Sequence, residues 1–191
     1  GFFSFQKEDG SLVSSMDIKE KTIWDYLTEN GYRSAIINLT ATYPAKELNG
    51  IMITGHMIPE VNEKSTYPPE LRFKVDFPIG ESWADNVNWN NPKEGLRKEI
   101  EVTKQRSKTA IKLIKKNNYD FSIFWIFGTD RLNHYYYHRK DILFEYYKFI
   151  DSLLSNWLKT FKNYNFIIIS DHGGEATPTK NFHVNTWLYK E

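Results

Sequence analysis

Three short apolar runs, each preceded by a helical pattern, limit the folds that this chain can adopt. The runs cover residues 34–39, 121–127 and 166–169. Each run is continuous rather than alternating, which is typical of strands that are covered on both faces. The preceding helical patterns cover residues 21–30, 94–116 and 141–162. This alternation of helix and strand predicts an α/β fold with a mostly parallel sheet.

Composition and length narrow the class of protein further. The chain has 191 residues, which suits one α/β domain over residues 1–191. It contains no cysteine, so disulfide scaffolds, thiolate metal sites and cysteine nucleophiles are excluded. A formal charge of +1 argues against a general nucleic-acid binder. No apolar run has the length of a membrane helix and the first residues lack a signal-peptide pattern, so we expect a cytoplasmic protein without a membrane partner.

Two regions have patterns that leave alternatives open. Residues 42–93 are rich in proline, glycine and asparagine and predict an irregular excursion over one edge or face of the sheet. Residues 97–116 carry many lysines and arginines on a helical pattern. We interpret them as the solvated face of a helix, and a surface that attracts phosphate is the alternative.

Polar residues follow the second and third predicted strands. Asp130 and His134 come after residue 127, and their spacing of four places both on one face of a helix that starts at Asp130. Asp171 and His172 come after residue 169, where the following glycines allow the chain to turn. Ligands of open α/β sheets gather at the carboxyl ends of strands. The two pairs therefore predict a metal site, with zinc as the first choice and manganese or iron as alternatives. The alternative is structural, with Asp130 as a helix N-cap and Asp171 as a turn residue.

The same residues resemble the motifs of a known family. Ser170, Asp171, His172 and Gly173 resemble the SDHG signature of the alkaline phosphatase superfamily. Thr129 and Asp130 with His134 resemble its upstream TDxxxH metal motif. Further segments are similar to the type I phosphodiesterase/nucleotide pyrophosphatase branch, and they cover residues 22–25, 38–44, 49–52, 55–59 and 67–71.

The resemblance implies a fold, a cofactor and a reaction. The fold is a three-layer α/β/α sandwich with a mostly parallel sheet and an alkaline phosphatase-like core. The cofactor is two divalent metal ions, one held by Asp130 and His134 and the other by Asp171 and His172. The reaction is hydrolysis of a phosphate ester or nucleotide by in-line attack of a Thr or Ser nucleophile.

The resemblance also implies that part of the site lies outside this sequence. In the family, the nucleophile and a first metal-binding Asp precede the segment that residues 1–5 resemble, so no catalytic nucleophile is expected among the 191 residues. We therefore expect an internal fragment or truncated member with an incomplete core, inactive alone, whose exposed edges favour self-association. The alternative is an inactive remnant with only a structural or oligomeric role.

Four further residues are weaker candidates for the site. His183 is a possible metal ligand, twelve residues after Asp171. Arg131 is a possible phosphate contact, with a salt bridge on a helix surface as the alternative. His56 and His138 are also considered as ligands, and we interpret His138 as a surface histidine.

Overall fold

The computed structural model describes residue 7, residues 10–11, residues 13–174 and residue 189. The strands in this part of the chain are β1 (Ser34–Leu39), β2 (Gly50–Thr54), β3 (Thr66–Tyr67) and β4 (Phe121–Phe124). The α-helices there are α1 (Ile23–Glu29), α2 (Pro92–Asn117), α3 (Gly128–Tyr136) and α4 (Lys140–Thr160). Short 3₁₀ helices cover Ser15–Asp17, Glu63–Ser65, Pro69–Lys74 and Ser82–Asn86.

The strands form one mostly parallel sheet in the order β3-β2-β1-β4. β1 pairs in parallel with β2 on one side and with β4 on the other. β3 adds a short antiparallel pairing to the outer side of β2. The α/β class and the mostly parallel sheet that the sequence predicts are confirmed.

Helices cover both faces of the sheet. Ala35 and Ile37 of β1 belong to the same buried cluster as Ala110 of α2 and Trp157 of α4. Ile36 points to the opposite face, where it shares a buried cluster with Trp24 of α1. Both faces of β1 are therefore apolar and buried, which explains why its sequence is a continuous rather than an alternating apolar run.

The helix boundaries follow from local capping. α1 begins with a capping box, in which the Asp25 carboxylate accepts hydrogen bonds from the Thr22 backbone N–H and hydroxyl, both at 2.7 Å. It is followed by Gly31 at φ 80°, the glycine stop that the sequence predicts. α2 begins with Pro92 in its first turn and ends at Asn117, and the C-cap residue Asn118 has a left-handed conformation. None of the helices among the described residues combines the length and apolar composition that a membrane crossing requires.

The region predicted to be irregular contains a strand that the sequence analysis does not predict. β2 lies within residues 42–93, and its Met52 and Ile53 are 1% and 0% exposed. The run is only five residues long and no helical pattern precedes it, so it lacks the signal that marks the other strands. Its first residue must be glycine, since a Cβ on Gly50 would overlap the Ser34 carbonyl oxygen of β1. The rest of this region consists of β3, three 3₁₀ helices and loops.

The prediction of a third strand at residues 166–169 is wrong. The segment has no ladder partner, and Ile167, Ile168 and Ile169 are 86%, 68% and 86% exposed. Among the described residues, β4 pairs only with β1, and this segment does not pair with the open side of β4. β4 itself ends at Phe124 rather than at residue 127, and its four residues are only half-buried.

We expect the exposed isoleucines and the unpaired side of β4 to make the chain self-associate. Unpaired strand N–H and C=O groups and contiguous apolar side chains both favour pairing with a second copy. Light scattering during size-exclusion chromatography over a range of loading concentrations measures this. The double variant Ile167→Lys/Ile169→Lys should shift the species toward monomer, and Phe73→Lys, which changes another exposed apolar residue, should not. A wild-type chain that stays monomeric at every concentration would contradict the expectation.

Candidate functional site

Parallel pairing places the carboxyl ends of β1, β2 and β4 at one edge of the sheet, and the candidate site lies there. α3 begins at Gly128, four residues after β4 ends at Phe124. Asp130 is the third residue of α3, and His134 follows it by one helical turn. The N-cap explanation for Asp130 does not apply, because Phe127 occupies that position. The Asp130 carboxylate instead lies in the first turn, where the helix dipole stabilises negative charge.

The structure places His134 and His172 beside the Asp130 carboxylate, and Asp171 beside His172. Asp130 Oδ1 lies 3.5 Å from His134 Nε2 and 3.9 Å from His172 Nε2. Asp171 Oδ2 lies 3.8 Å from the same His172 nitrogen. Asp130 is half-buried, whereas the other three side chains are exposed to solvent. Two segments that are about 40 residues apart in the sequence therefore meet at this edge.

A local turn orients the His172 ring. The Ser170 hydroxyl donates to the His172 carbonyl oxygen at 2.6 Å, and the His172 backbone N–H donates to Asp171 Oδ1 at 3.2 Å. His172 Nδ1 lies 2.8 Å from the Gly173 carbonyl oxygen, which requires Nδ1 to carry a proton. Nε2 is then the atom that faces the two carboxylates. Such a hydrogen bond from the second ring nitrogen is typical of histidines that bind metals.

The surroundings of His172 favour a cation at its Nε2 atom. The hydrogen bond to the Gly173 carbonyl, followed by the Asp171 and Asp130 carboxylates, raises the pKa of His172. With Nδ1 protonated, a neutral ring presents the Nε2 lone pair toward carboxylate oxygens 3.8–3.9 Å away, so a proton or a metal ion at Nε2 is favoured electrostatically. Two carboxylates and two imidazoles are a donor set that suits zinc, manganese or iron. The four side chains lie near one another but do not form a complete coordination site. In the part of the chain that the structure describes, no three or more His, Asp or Glu side chains are arranged to hold an ion.

The weaker candidates lie in different places. The His56 ring follows β2 and stacks on Phe127 at 4.3 Å between centroids. Burial lowers the pKa of His56, so the ring favours the neutral form. His138 is exposed at the end of α3 and packs edge-on against Tyr137, as the surface interpretation expects. His183 lies outside the described residues.

Arg131 is buried, and its guanidinium is held by carboxylates. It is 9% exposed, with Nε 3.1 Å from Glu99 Oε2 and Nη2 hydrogen-bonded to Glu81 Oε2. The salt bridge considered as the alternative is therefore present, although it lies in the interior instead of on the helix surface. A contact between Arg131 and phosphate stays a prediction.

The sequence analysis does not predict the buried ionic cluster beneath α3. The cluster consists of Glu81, Glu99, Arg106 and Arg131, and we call it the ionic cluster below. Glu99 and Arg106 lie on α2, in the stretch interpreted as a solvated face, yet they are 1% and 3% exposed. Helical spacing is the signal that could have found them. Both positions fall on the same face as the buried Leu96 and Ala110.

Burial changes the protonation of one member of this cluster. Removal from water raises the pKa of Glu99 to about 7, against the partial opposing effect of Arg131. A carboxyl of a folded chain that titrates above its ordinary value of 4.5 binds its proton more tightly than the unfolded chain does. Its contribution to stability is therefore complete below pH 4.5 and is lost as the pH rises toward 7.

We expect Glu99→Gln to remove this pH dependence, because glutamine keeps the shape of the protonated carboxyl and does not titrate. Between pH 5 and pH 8, the wild-type free energy of unfolding should fall by roughly 2–3 kcal/mol more than that of the variant. Urea denaturation at both pH values measures the difference. Glu101→Gln, an exposed position on the same helix, is the matched control and should retain the wild-type fall. An equal fall in Glu99→Gln and wild type would contradict the assignment.

Comparison with known proteins agrees with the motifs at this edge of the sheet. The family model for type I phosphodiesterase/nucleotide pyrophosphatase matches residues 2–191. Searches of curated proteins and of solved structures found no match to the chain. The match covers almost the whole sequence, including both Asp/His pairs and the region between them. The chain therefore belongs to the type I phosphodiesterase/nucleotide pyrophosphatase family of hydrolases.

Proposed function

We propose that this chain supplies two Asp/His pairs to the divalent-metal site of a phosphoric ester hydrolase. The observation that carries the proposal is the approach of His134 Nε2 and His172 Nε2 to the same Asp130 oxygen, at 3.5 and 3.9 Å. Asp130 with His134 would hold one ion, and Asp171 with His172 would hold the other. Family membership supports phosphodiesterase or pyrophosphatase-type hydrolysis, and the metal dependence is our inference from the donor set.

The residues of this chain would hold and orient the metal rather than attack phosphorus. Bound divalent ions would lower the pKa of the attacking group and stabilise the charge on the phosphoryl oxygens. Asp130 presents its carboxylate from the first turn of α3, and the Gly173 carbonyl fixes which nitrogen His172 presents. The resemblance implies that the nucleophilic Thr or Ser lies upstream of Gly1. Two hydroxyl groups next to the site, on Thr129 and Ser170, are poor substitutes, since Ser170 already donates to the His172 carbonyl.

The substrate class follows from the family. Its members act on phosphate esters or nucleotides, and we propose such a small molecule as the substrate of this site. Zinc is the metal we favour because it binds mixed imidazole and carboxylate ligands readily, with manganese and iron as alternatives. A cytoplasmic location and the lack of nucleic-acid and membrane partners stay predictions.

A second candidate role is that of an inactive remnant with a structural or oligomeric function. The observation that favours it is the exposure of Ile167, Ile168 and Ile169 directly before the Asp171/His172 pair. A chain in this role would keep the Asp and His side chains without binding metal. The two roles are separated by metal affinity.

Calorimetric titration with Zn²⁺ is the most direct test of the proposed site. We expect saturable binding to the wild type, weakened at least about tenfold in Asp130→Ala and in Asp171→Ala, since even loss of a group behind a ligand costs that much. Asp151→Ala removes an exposed carboxylate from α4 and should bind like the wild type. Binding that is absent, or that is indifferent to both site variants, would favour the remnant role.

Hydrolysis assays test the division of labour within the site. We expect the 191-residue chain to turn over neither bis-p-nitrophenyl phosphate nor p-nitrophenyl phosphate with Zn²⁺ or Mn²⁺, because the nucleophile is expected upstream. A longer protein that contains this chain and the upstream segment should hydrolyse the diester in preference to the monoester. Robust turnover by the chain alone would contradict the proposal, and loss of that turnover in Thr129→Ala or Ser170→Ala would identify a nucleophile within it.

A further inference from the structure

The ionic cluster lies directly against the first turn of the helix that carries Asp130 and His134. A Cβ on Gly128, the first residue of α3, would overlap Glu99 Oε1 and the Tyr146 hydroxyl. The Tyr146 hydroxyl also lies 3.0 Å from Thr103 Oγ1, which places α2, α3 and α4 around one polar centre. The start of α3 therefore packs on buried polar groups and not only on apolar side chains.

Glu81 joins the three parts of the molecule that meet at this centre. It lies just before the 3₁₀ helix Ser82–Asn86, in the region that the sequence predicts to be irregular. Its carboxylate accepts hydrogen bonds from Trp83 Nε1 at 3.0 Å, from Arg106 Nη1 at 2.9 Å and from Arg131 Nη2. Arg106 in turn donates to the carbonyl oxygens of Pro78, at 3.1 Å, and Gly80.

Aromatic rings enclose the Arg131 guanidinium. Its Cζ lies 5.0 Å from the ring centroids of Trp83 and Phe127, and 5.7 Å from that of Trp89. Cation–π contacts of this kind strengthen when the cation is removed from water. With carboxylates at its edge and rings around it, the guanidinium has little room to move.

We infer that Glu81 and Glu99 are positioning residues which act through Arg131 to fix the Asp130/His134 pair. Arg131 is the residue next to Asp130 in the same helical turn, so holding its side chain holds the backbone that aims the Asp130 carboxylate. Neither glutamate is a ligand in this arrangement. The inference rests on the proposed metal site, and it assigns to the region over residues 78–89 the task of supporting that site.

The choice of residues supports a positioning role over a purely stabilising one. Buried ion pairs contribute little net stability, because desolvation offsets most of the attraction, but each donor and acceptor must be matched in direction. Arg131 Nη2 donates to Glu81 Oε2, and Nε lies 3.1 Å from Glu99 Oε2 without forming a hydrogen bond, so the contact with Glu81 sets the direction of the planar guanidinium and Glu99 adds charge beside it. Apolar side chains of the same size would fill this space without specifying that direction.

The test compares Glu81→Gln and Glu99→Gln with two matched controls in the full 191-residue chain. Asp85→Asn, near Glu81, and Glu101→Gln, near Glu99, remove an exposed carboxylate from the same elements. Hydrogen exchange of the metal-free chain is measured by peptide, and Mn²⁺ affinity is measured by calorimetry. Two variants are used so that one remains if the other fails to fold.

At pH 8, where Glu99 is ionised in the wild type, we expect local loosening and weaker metal binding in both site variants. Exchange should rise about tenfold or more in peptides that cover residues 128–136, and peptides from β1 should keep the wild-type rate. Mn²⁺ affinity should fall by about 10–100-fold, the usual effect of losing a group that supports a metal ligand. Both controls should match the wild type in exchange and affinity.

Three results would overturn the inference. Equal loosening of β1 and α3 would mean that the cluster only stabilises the fold. Unchanged exchange and affinity in both variants would mean that Arg131 needs no support. A third variant, Arg131→Gln, is tested for binding of inorganic phosphate. If this variant weakens phosphate binding without changing exchange in α3, and neither glutamate variant weakens phosphate binding, Arg131 is a phosphate contact instead. A wild-type chain that binds no Mn²⁺ would count against the proposed metal site, and the local exchange pattern would then decide the positioning role by itself.

Discussion

The parallel pairing of β1 with strands on both of its sides determines where Asp130, His134 and His56 lie. Because β2, β1 and β4 run in the same direction, the segments that follow them leave from one edge of the sheet. His56 follows β2 and stacks on Phe127, which follows β4, so side chains from different strands come into contact at that edge. α3 starts there too and presents Asp130 from its first turn. Had β4 been antiparallel, Asp130 would lie at the opposite edge from His56.

The site lies at the edge of the sheet, and we infer that the buried ionic cluster behind it orients the Asp130/His134 pair. A helix start at the end of a short connection has few contacts of its own, since its first backbone N–H groups have no partners within the helix. Here the first turn of α3 rests on α2 and α4 through Glu99, Tyr146 and Thr103. Glu81 connects α2 and α3 to the irregular region through its hydrogen bonds with Arg106 and Arg131. The irregular region is thus held by Arg106 and Arg131, and Arg131 also lies in α3 beside Asp130.

Periodicity predicted those parts of the fold that are decided locally. The three predicted helices, α1, α2 and α4, were found within a few residues, because each carries apolar residues at helical spacing. β1 was found because both of its faces are buried. β2 was missed because no helical pattern precedes its five residues, which lie between glycines that the sheet requires for close backbone approach.

The candidate site was predictable because its residues follow continuous apolar runs. Asp130, His134, Asp171 and His172 stand at positions where polar residues interrupt apolar runs, and the motifs they form are those of the family. The support behind them was not predictable in the same way. Glu81 lies in an irregular region, where no periodic pattern marks it as buried. Glu99 and Arg106 resemble surface residues of a charged helix, and only their position on the same helical face as Leu96 and Ala110 indicates that they are buried. Pairing across 25 to 50 residues is a tertiary property, and only the packing of α2 against α3 and the 78–83 loop makes these charges partners.

In the segment that ends at His172, the burial of three isoleucines and the orientation of Asp171 and His172 depend on each other. Ile167, Ile168 and Ile169 have the continuous apolar pattern of a strand covered on both faces, yet they are exposed. Asp171 and His172 follow after a single residue, so the direction of these ligands depends on the path of the isoleucines. Any contact that buries the isoleucines also restricts the ligands, and ligands that are already restricted lose less entropy when they bind an ion. By linkage the effect is reciprocal, and an ion bound at the proposed site would favour burial of the isoleucines by the same factor. Covering this apolar run and completing the proposed metal site would therefore be coupled events in the same segment.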